Sequence, residues 1–193
     1  MSDAADDRDP RYAIVLDYLP RGRPDDDRPP YEKSPLAHVV SEDLFQLVEL
    51  QLTEDAKVNI GDRVQFDPPG ESVESVSELE YESLSSTALS ELEHAINHII
   101  DMDESRFVDY YNEAQPITTR LHVLNLLPGI GEKLRNNILD QRKRGPFESF
   151  EDIEERVDGL HRPREVLVER ILEEMQETDL KYRIFARREQ PES

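Results

Sequence analysis

The spacing of hydrophobic residues differs between two parts of the chain. In the first third, apolar and polar residues alternate, as from Tyr12 to Tyr18, and this period of two is typical of β-strands. Short strands at this spacing predict a small β-barrel of the OB or SH3-like type. The predicted strands are Tyr12–Leu19, Leu36–Val40, Leu44–Leu52 and Arg63–Phe66, with Lys181–Ala186 as a candidate fifth.

From about residue 84 the period becomes that of amphipathic helices. Apolar residues from Leu89 to Ile100 recur every three or four positions, behind Ser85 and Ser86 as capping residues. We therefore expect an α+β protein in which the small β-barrel is followed by an all-helical domain. Five further helices are predicted. The first lies around Phe107–Tyr111 and ends before Pro116. The other four are Arg120–Leu126, Glu132–Arg144, a helix from the Ser149 cap to about Val157 and a helix from Pro163 to about Gln176.

Composition predicts where the domains begin and end. Residues 67–77 contain two prolines, a glycine and three serines, which favours a connection between domains. We predict a disordered acidic tail at 1–10, the barrel at 11–67, a linker at 68–83, the helical domain at 84–178 and a C-terminal strand or tail at 179–193.

The chain is strongly acidic. It carries 44 Asp and Glu against 23 Lys and Arg, a net charge of −21, and 18 of the bases are arginines. High charge with low hydrophobicity is also typical of disorder, but clear apolar periods run through most of the chain. Because molar salt shortens the Debye length to about 3 Å, we interpret the acidity as a halophilic adaptation, in preference to mimicry of nucleic acid.

The charge is unevenly distributed along the chain. Residues 71–113 contain twelve acids and one base, whereas residues 118–147 contain six bases and two acids, a balance of +4. A positive segment is the electrostatic signature of a nucleic-acid site. The alternative is that these bases pair with acids elsewhere in the protein.

The segment Leu127–Lys133, with the sequence Leu-Pro-Gly-Ile-Gly-Glu-Lys, resembles the hairpin of helix-hairpin-helix motifs. Two glycines permit a tight turn, and the amides at the start of the next helix favour an anion. Ile130 is expected to fill the space between the two helices. We predict a site that holds backbone phosphate without reading bases, formed by Pro128, Gly129, Ile130, Gly131, Lys133, Arg135, Arg142, Lys143 and Arg144.

Two features depart from that motif. Arg135 occupies a position that is usually a small alanine, and the second candidate hairpin, Asp158–Pro163, lacks a second glycine. We interpret this second hairpin as a structural partner of the first. It is not included in the predicted phosphate site.

Four segments together resemble an archaeal family of unknown function, number 655, over about residues 11–187. The resemblance implies an OB-like barrel, a helix-hairpin-helix domain and a role in nucleotide or RNA binding without known catalytic residues. The four segments are Tyr12–Leu19, Ile60–Val64, Arg106–Asn112 and Ala114–His122.

Other chemistries have weaker support. The absence of Cys excludes disulfides and thiolate metal sites, and the Asp context of helix-hairpin-helix glycosylases is missing. His94 and His98 lie opposite an apolar stripe and Asp25–Asp27 lies in a loop, so both groups are expected to be solvated. No apolar run approaches the roughly 20 residues that cross a membrane. We expect a cytoplasmic protein that is not an enzyme, has no metal or cofactor and does not contact a membrane.

The expected function is nucleic-acid binding, with RNA favoured over DNA. The family resemblance favours RNA, whereas helix-hairpin-helix motifs in general favour duplex DNA. The alternative is a protein–protein adaptor of the translation or transcription machinery, for example on the ribosome, in which the hairpin is purely structural.

Overall fold

The computed structural model describes residues 8–186. They form an α+β protein, as the two hydrophobic periods predict, and contain five strands and five α-helices. The strands are β1 (Arg11–Leu19), β2 (Leu36–Ser41), β3 (Leu47–Leu52), β4 (Arg63–Asp67) and β5 (Val73–Glu78). The helices are α1 (Ser86–Met102), α2 (Glu104–Glu113), α3 (Glu132–Lys143), α4 (Phe150–Arg156) and α5 (Pro163–Gln176).

The chain divides into two compact units, the first ending at Ala95 and the second beginning at Ile96. The division lies inside α1, later than the linker that composition predicts at residues 68–83. Helix α1 is continuous because its apolar stripe runs unbroken from Leu92 to Ile100, all of it buried.

The first unit contains one antiparallel sheet with the strand order β4-β1-β2-β3-β5. The sheet curls into a half-barrel. Within residues 8–186 no ladder joins β4 to β5, so the sheet is open where a closed barrel was predicted. The fifth strand is β5, which lies in the predicted linker.

Both faces of the sheet are covered near its centre. One face forms a cluster of small and branched apolar side chains that includes Val15, Val39 and Leu50. On the other face, Ser85 caps α1 by accepting the Ala88 N–H at 3.1 Å, as predicted, and its hydroxyl donates to Asp17 at 2.6 Å. The sheet therefore holds the start of α1 through polar contacts.

The structure corrects two strand predictions. Glu42–Leu44 form a turn and Phe45 has a φ of +52°, so β3 begins only at Leu47. Lys181–Ala186 is not a strand. Instead, Oε1 of the buried Glu174 accepts the N–H groups of Ile184 at 2.6 Å and Phe185 at 3.0 Å. A side chain thus satisfies the backbone groups that strand pairing would have used.

All but one of the predicted helices are confirmed. Residues 116–122 form a tight loop closed by a bridge between Pro116 and His122, and only Val123–Leu126 follows as a short 3₁₀ turn. The Thr118 hydroxyl accepts two N–H groups inside the loop, from Arg120 and Leu121. This turn geometry replaces the first half of the helix predicted at Arg120–Leu126.

Polar side chains of α2 form hydrogen bonds to other segments of the second unit. The buried Tyr111 hydroxyl donates to the Pro163 carbonyl at 2.6 Å, and burial raises the pKa of this tyrosine. The Asn112 side chain both donates to and accepts from the backbone of Phe147, at 2.9 and 2.7 Å. Helix α2 is thereby connected to the beginning of α5 and to the segment before α4.

Candidate nucleic-acid interface

The hairpin between the 3₁₀ turn and α3 is a compact glycine turn. It closes with a hydrogen bond from the Ile130 N–H to the Leu127 carbonyl at 3.2 Å. Gly129 is exposed and has a φ of +77°, a conformation that favours glycine. Ile130 is only 5% exposed. The hairpin thus buries its isoleucine and exposes its glycines, as the sequence predicts.

One amide side chain braces the hairpin from inside. Asn125 donates to the Ile130 carbonyl at 3.2 Å and accepts the His122 N–H at 3.2 Å. The guanidinium of Arg135 donates to the same amide oxygen at 3.1 Å. Sequence analysis missed Asn125, because an Asn between apolar residues gives no signal of its own.

This bracing also gives Arg135 a structural role. Its position on α3 is the one where the motif usually has a small alanine, and the structure uses its length to reach back to Asn125. Arg135 therefore supports the hairpin from behind.

Helix α3 begins without a side-chain cap. Gly131 is its N-cap residue, with an extended backbone (φ −87°, ψ −168°), and its carbonyl accepts the Arg135 N–H at 2.9 Å. A Cβ added at Gly131 would meet no heavy atom within 4 Å. The first-turn N–H groups of a helix have no partner within the helix. The space that a side chain at Gly131 would occupy is therefore open.

Three of the predicted cationic residues face solvent. Lys133, Lys143 and Arg144 are exposed, and none of them forms an ion pair within the part of the chain that the structure describes. Lys133 lies in the first turn of α3, whereas Lys143 and Arg144 lie at its C-terminal end. The acidic Glu132 is also exposed in the first turn.

Arg142, by contrast, is turned inward. Its Nη1 donates to the carbonyls of Tyr111 at 3.1 Å and Ala114 at 2.8 Å, at the C-terminal end of α2. Burial lowers the pKa of this guanidinium. Because Nη1 closes the end of α2, we leave Arg142 out of the revised phosphate site.

The second hairpin repeats the turn of the first but not its open helix start. Leu160 donates its N–H to the Val157 carbonyl at 3.3 Å, and Gly159 has a φ of +87°. The N-cap residue of α5 is Arg162 in a left-handed conformation, followed by Pro163, which has no N–H. The start of α5 therefore offers one backbone donor fewer than the start of α3.

A groove lies beside the first hairpin, between it and α5. One side consists of Asn125 and the residues from Leu126 to Gly131. The other side consists of Glu169, Arg170, Leu172, Glu173 and Gln176 of α5. Sequence analysis did not identify these α5 residues, since they are about 40 positions away from the hairpin.

Other candidate sites are less developed. Within residues 8–186 no group of three or more His, Asp or Glu is arranged to hold a metal ion. His94 and His98 are exposed on α1, and Asp26 of the acidic loop pairs with Arg28 at 2.7 Å. None of the helices described here has the length and apolar character needed to cross a membrane.

The described residues define an α+β protein with a curled antiparallel sheet and a helical unit that presents a glycine hairpin. Residues 9–187 match the family model described as a protein of unknown function, DUF655. The chain belongs to this family, as the resemblance of its four segments indicates.

Two relatives extend this assignment. An uncharacterized protein of Methanocaldococcus jannaschii is 37% identical over 179 residues, which cover 91% of this chain and 79% of that protein. The crystal structure of a DUF655 protein from Archaeoglobus fulgidus is 42% identical and superposes with a TM-score of 0.84. That match covers 92% of this chain and 99% of the other.

Proposed function

We propose that this protein binds nucleic acid, RNA in preference to DNA, by holding backbone phosphate at the hairpin formed by residues 127–131. In this proposal the 3₁₀ turn, the hairpin and α3 act as a helix-hairpin-helix motif, and the half-barrel is an open relative of the OB and SH3-like barrels that offers a second contact. The protein binds without catalysing a reaction.

The observation that carries the proposal is the uncapped start of α3. Backbone N–H groups at a helix N-terminus favour an anion, and Gly131 has no side chain that could cap them. Lys133 lies exposed in the same turn. In contrast, Ser149 closes the start of α4 by accepting the Asp152 N–H at 3.0 Å.

Short-range contacts suit a protein adapted to high salt. At molar salt, charges more than about 3 Å apart are largely screened, so cations on long side chains contribute little attraction at a distance. Amide hydrogen bonds of fixed geometry are retained. The revised phosphate site therefore consists of the backbone N–H groups of Gly129 and of Gly131 to Lys133, with Lys143 and Arg144 as supporting cations.

The test uses two substitutions of Gly131 that block the donors in different ways. In Gly131→Val the side chain occupies the open space, which the extended backbone permits. In Gly131→Asp the carboxylate caps the helix itself, so the melting temperature should rise while phosphate is displaced. We expect each variant to lose about tenfold or more in affinity for RNA, against less than about threefold for Lys143→Ala.

The measurement is a fluorescence anisotropy titration with one structured RNA and one DNA duplex at a fixed, high KCl concentration. Circular dichroism establishes that each variant is folded. If Gly131→Asp has a higher melting temperature but a lower affinity than the wild-type protein, its loss of binding is due to the occupied site and not to unfolding. Wild-type affinity in both folded Gly131 variants would mean that the hairpin is structural, and the adaptor of translation or transcription machinery would then be the better proposal.

A further inference from the structure

The groove beside the hairpin is wide open to solvent, with about 780 Å³ of space along it. An open groove suits one unit of a strand that passes along it better than a small molecule that must be enclosed. The glycine hairpin borders it on one side. A nucleotide whose phosphate lies at the start of α3 would therefore extend along this groove.

The wall opposite the hairpin carries hydrogen-bond acceptors where a phosphate groove would be expected to carry cations. Glu169, Glu173 and Gln176 are spaced by four and three residues, so they share one face of α5. All three are exposed. The side chain of Glu173 is 45% exposed and makes a long contact of 3.4 Å with Nη1 of Arg170.

A buried cation lies behind these carboxylates. Arg170 lines the groove and is only 6% exposed. It is fixed by Glu174 at 3.1 Å and by the Tyr182 carbonyl at 2.7 Å. The guanidinium charge is shared between the buried Glu174 and the exposed Glu173.

The chemistry of the wall selects a class of ligand group. An ionised carboxylate accepts hydrogen bonds and donates none, so next to a bound phosphate it can hold only a donor of the same nucleotide. Amino groups vary from base to base, whereas the ribose 2′-hydroxyl is present on every RNA nucleotide and absent from DNA. Carboxylates bind ribose hydroxyls in this way in dinucleotide sites.

We propose that the groove holds one ribonucleotide unit of an RNA strand, with its 2′-hydroxyl donating to Glu169 or Glu173. This inference rests on the proposed function and gives a structural reason for its preference for RNA. In this proposal the phosphate site of the hairpin provides affinity, and the acceptor wall of α5 distinguishes ribose from deoxyribose.

The double variant Glu169→Ala/Glu173→Ala tests the proposal. The probes are three single-stranded oligonucleotides of one sequence with ribose, 2′-deoxyribose or 2′-O-methylribose, of which only the first has a 2′-hydroxyl donor. Removal of two negative charges by itself would tighten binding of all three. We expect instead that affinity for the ribose probe falls about tenfold, while affinities for the other two stay the same or rise.

A matched control removes the same charge outside the groove. Glu154 and Glu155 are exposed on α4 and do not line the groove, and Glu154→Ala/Glu155→Ala should keep the ribose preference of the wild-type protein. Tighter or unchanged binding of the ribose probe by Glu169→Ala/Glu173→Ala would overturn the role of the groove. Equal wild-type affinity for all three probes would overturn it too but leave the phosphate site intact, and no binding of any probe would overturn both proposals.

Discussion

At the scale of single residues, two buried histidines make hydrogen bonds that only the neutral ring can make. Nδ1 of His38 accepts the Ser85 N–H at 3.3 Å, and Nδ1 of His122 accepts the Leu124 N–H at 3.1 Å. Burial lowers the pKa of both. For His38 it outweighs the attraction of Glu49, and for His122 the charges of Arg142 and Arg135 lower the pKa further.

The lowered pKa values of these two histidines predict that the stability of the protein depends on pH. A histidine whose pKa is lower in the folded protein binds more protons when unfolded, so stability rises with pH in this range. The contribution is complete above the unfolded pKa of about 6.5 and is lost as the pH falls toward the folded value. We expect wild-type protein to lose more free energy of unfolding between pH 7.5 and 5.5 than the variant His38→Asn/His122→Asn.

Urea unfolding at the two pH values measures this difference. Comparison of the two proteins removes the contributions of other titrating groups, among them Glu174, whose pKa is raised by burial. The groups nearest His38 are Glu49, Asp17 and Arg23, and all three remain in the variant. The same pH dependence in both proteins would contradict the prediction.

The conformation of the hairpin was predictable from its sequence only in part. The sequence assigns a conformational reason to both glycines, but only Gly129 has a positive φ, whereas Gly131 has an extended backbone open to any residue. The positive φ of Gly129 and the burial of Ile130 are both consistent with the pattern. The bracing by Asn125 follows from contacts across turns, which a linear pattern does not show.

At the scale of elements, arginines close the C-terminal ends of two helices. Arg142 donates to the last carbonyls of α2, and Arg156 donates to the carbonyls of Gln141 at 2.6 Å and Gly145 at 2.8 Å at the end of α3. Arg156 also lies over the Phe147 ring, 4.6 Å from its centre. Arg142, which belongs to the basic segment, therefore serves folding, but it does so through backbone carbonyls and not through the acids that the alternative interpretation invoked.

The substitution Arg142→Ala should accordingly destabilise the second unit. It leaves two partly buried carbonyls without their charged donor, and hydrogen bonds to charged groups contribute about 1.5–3 kcal/mol each. We expect a loss of about 2 kcal/mol in the free energy of unfolding. The neighbouring Lys143→Ala, which removes an exposed cation, should change it by less than about 0.5 kcal/mol.

Urea denaturation of the two variants at one salt concentration provides the measurement. Equal stability of Arg142→Ala and wild-type protein would show that the carbonyls of Tyr111 and Ala114 are adequately solvated. It would then return Arg142 to the set of candidate phosphate contacts.

The elements that the sequence missed have weak hydrophobic signals. Strand β5 has the sequence Val-Glu-Ser-Val-Ser-Glu and lies at the sheet edge with five of its six residues exposed, so pairing with β3 determines it more than burial does. The loop before Val123 has the apolar spacing of a helix but is closed by Thr118. Elements with a strong apolar stripe, such as α1 and α5, were predictable because burial alone determines them.

At the scale of the whole molecule, the residues of the family resemblance are chiefly structural. In the segment Arg106–Asn112, Phe107 and Tyr111 are buried and Asn112 fixes the chain at Phe147. These three residues therefore contribute to the packing of the second unit. The groove along α5 depends on the tertiary fold, and for that reason neither the motif nor the family resemblance predicts it.

The net charge of −21 leads to the last prediction, on salt dependence. Carboxylates this numerous repel one another in dilute buffer, and molar salt screens that repulsion, so the melting temperature should rise steadily with KCl concentration. A general salting effect would also stabilise the protein, but it would persist when the net charge is removed. We therefore expect the rise with KCl, followed by circular dichroism, to be large at pH 7.5 and to shrink as the pH approaches the isoelectric point near 4.5. A melting temperature that stays flat or falls with KCl at pH 7.5 would refute the halophilic interpretation of the acidity, and an equal rise at both pH values would assign the effect to salt acting on apolar surface.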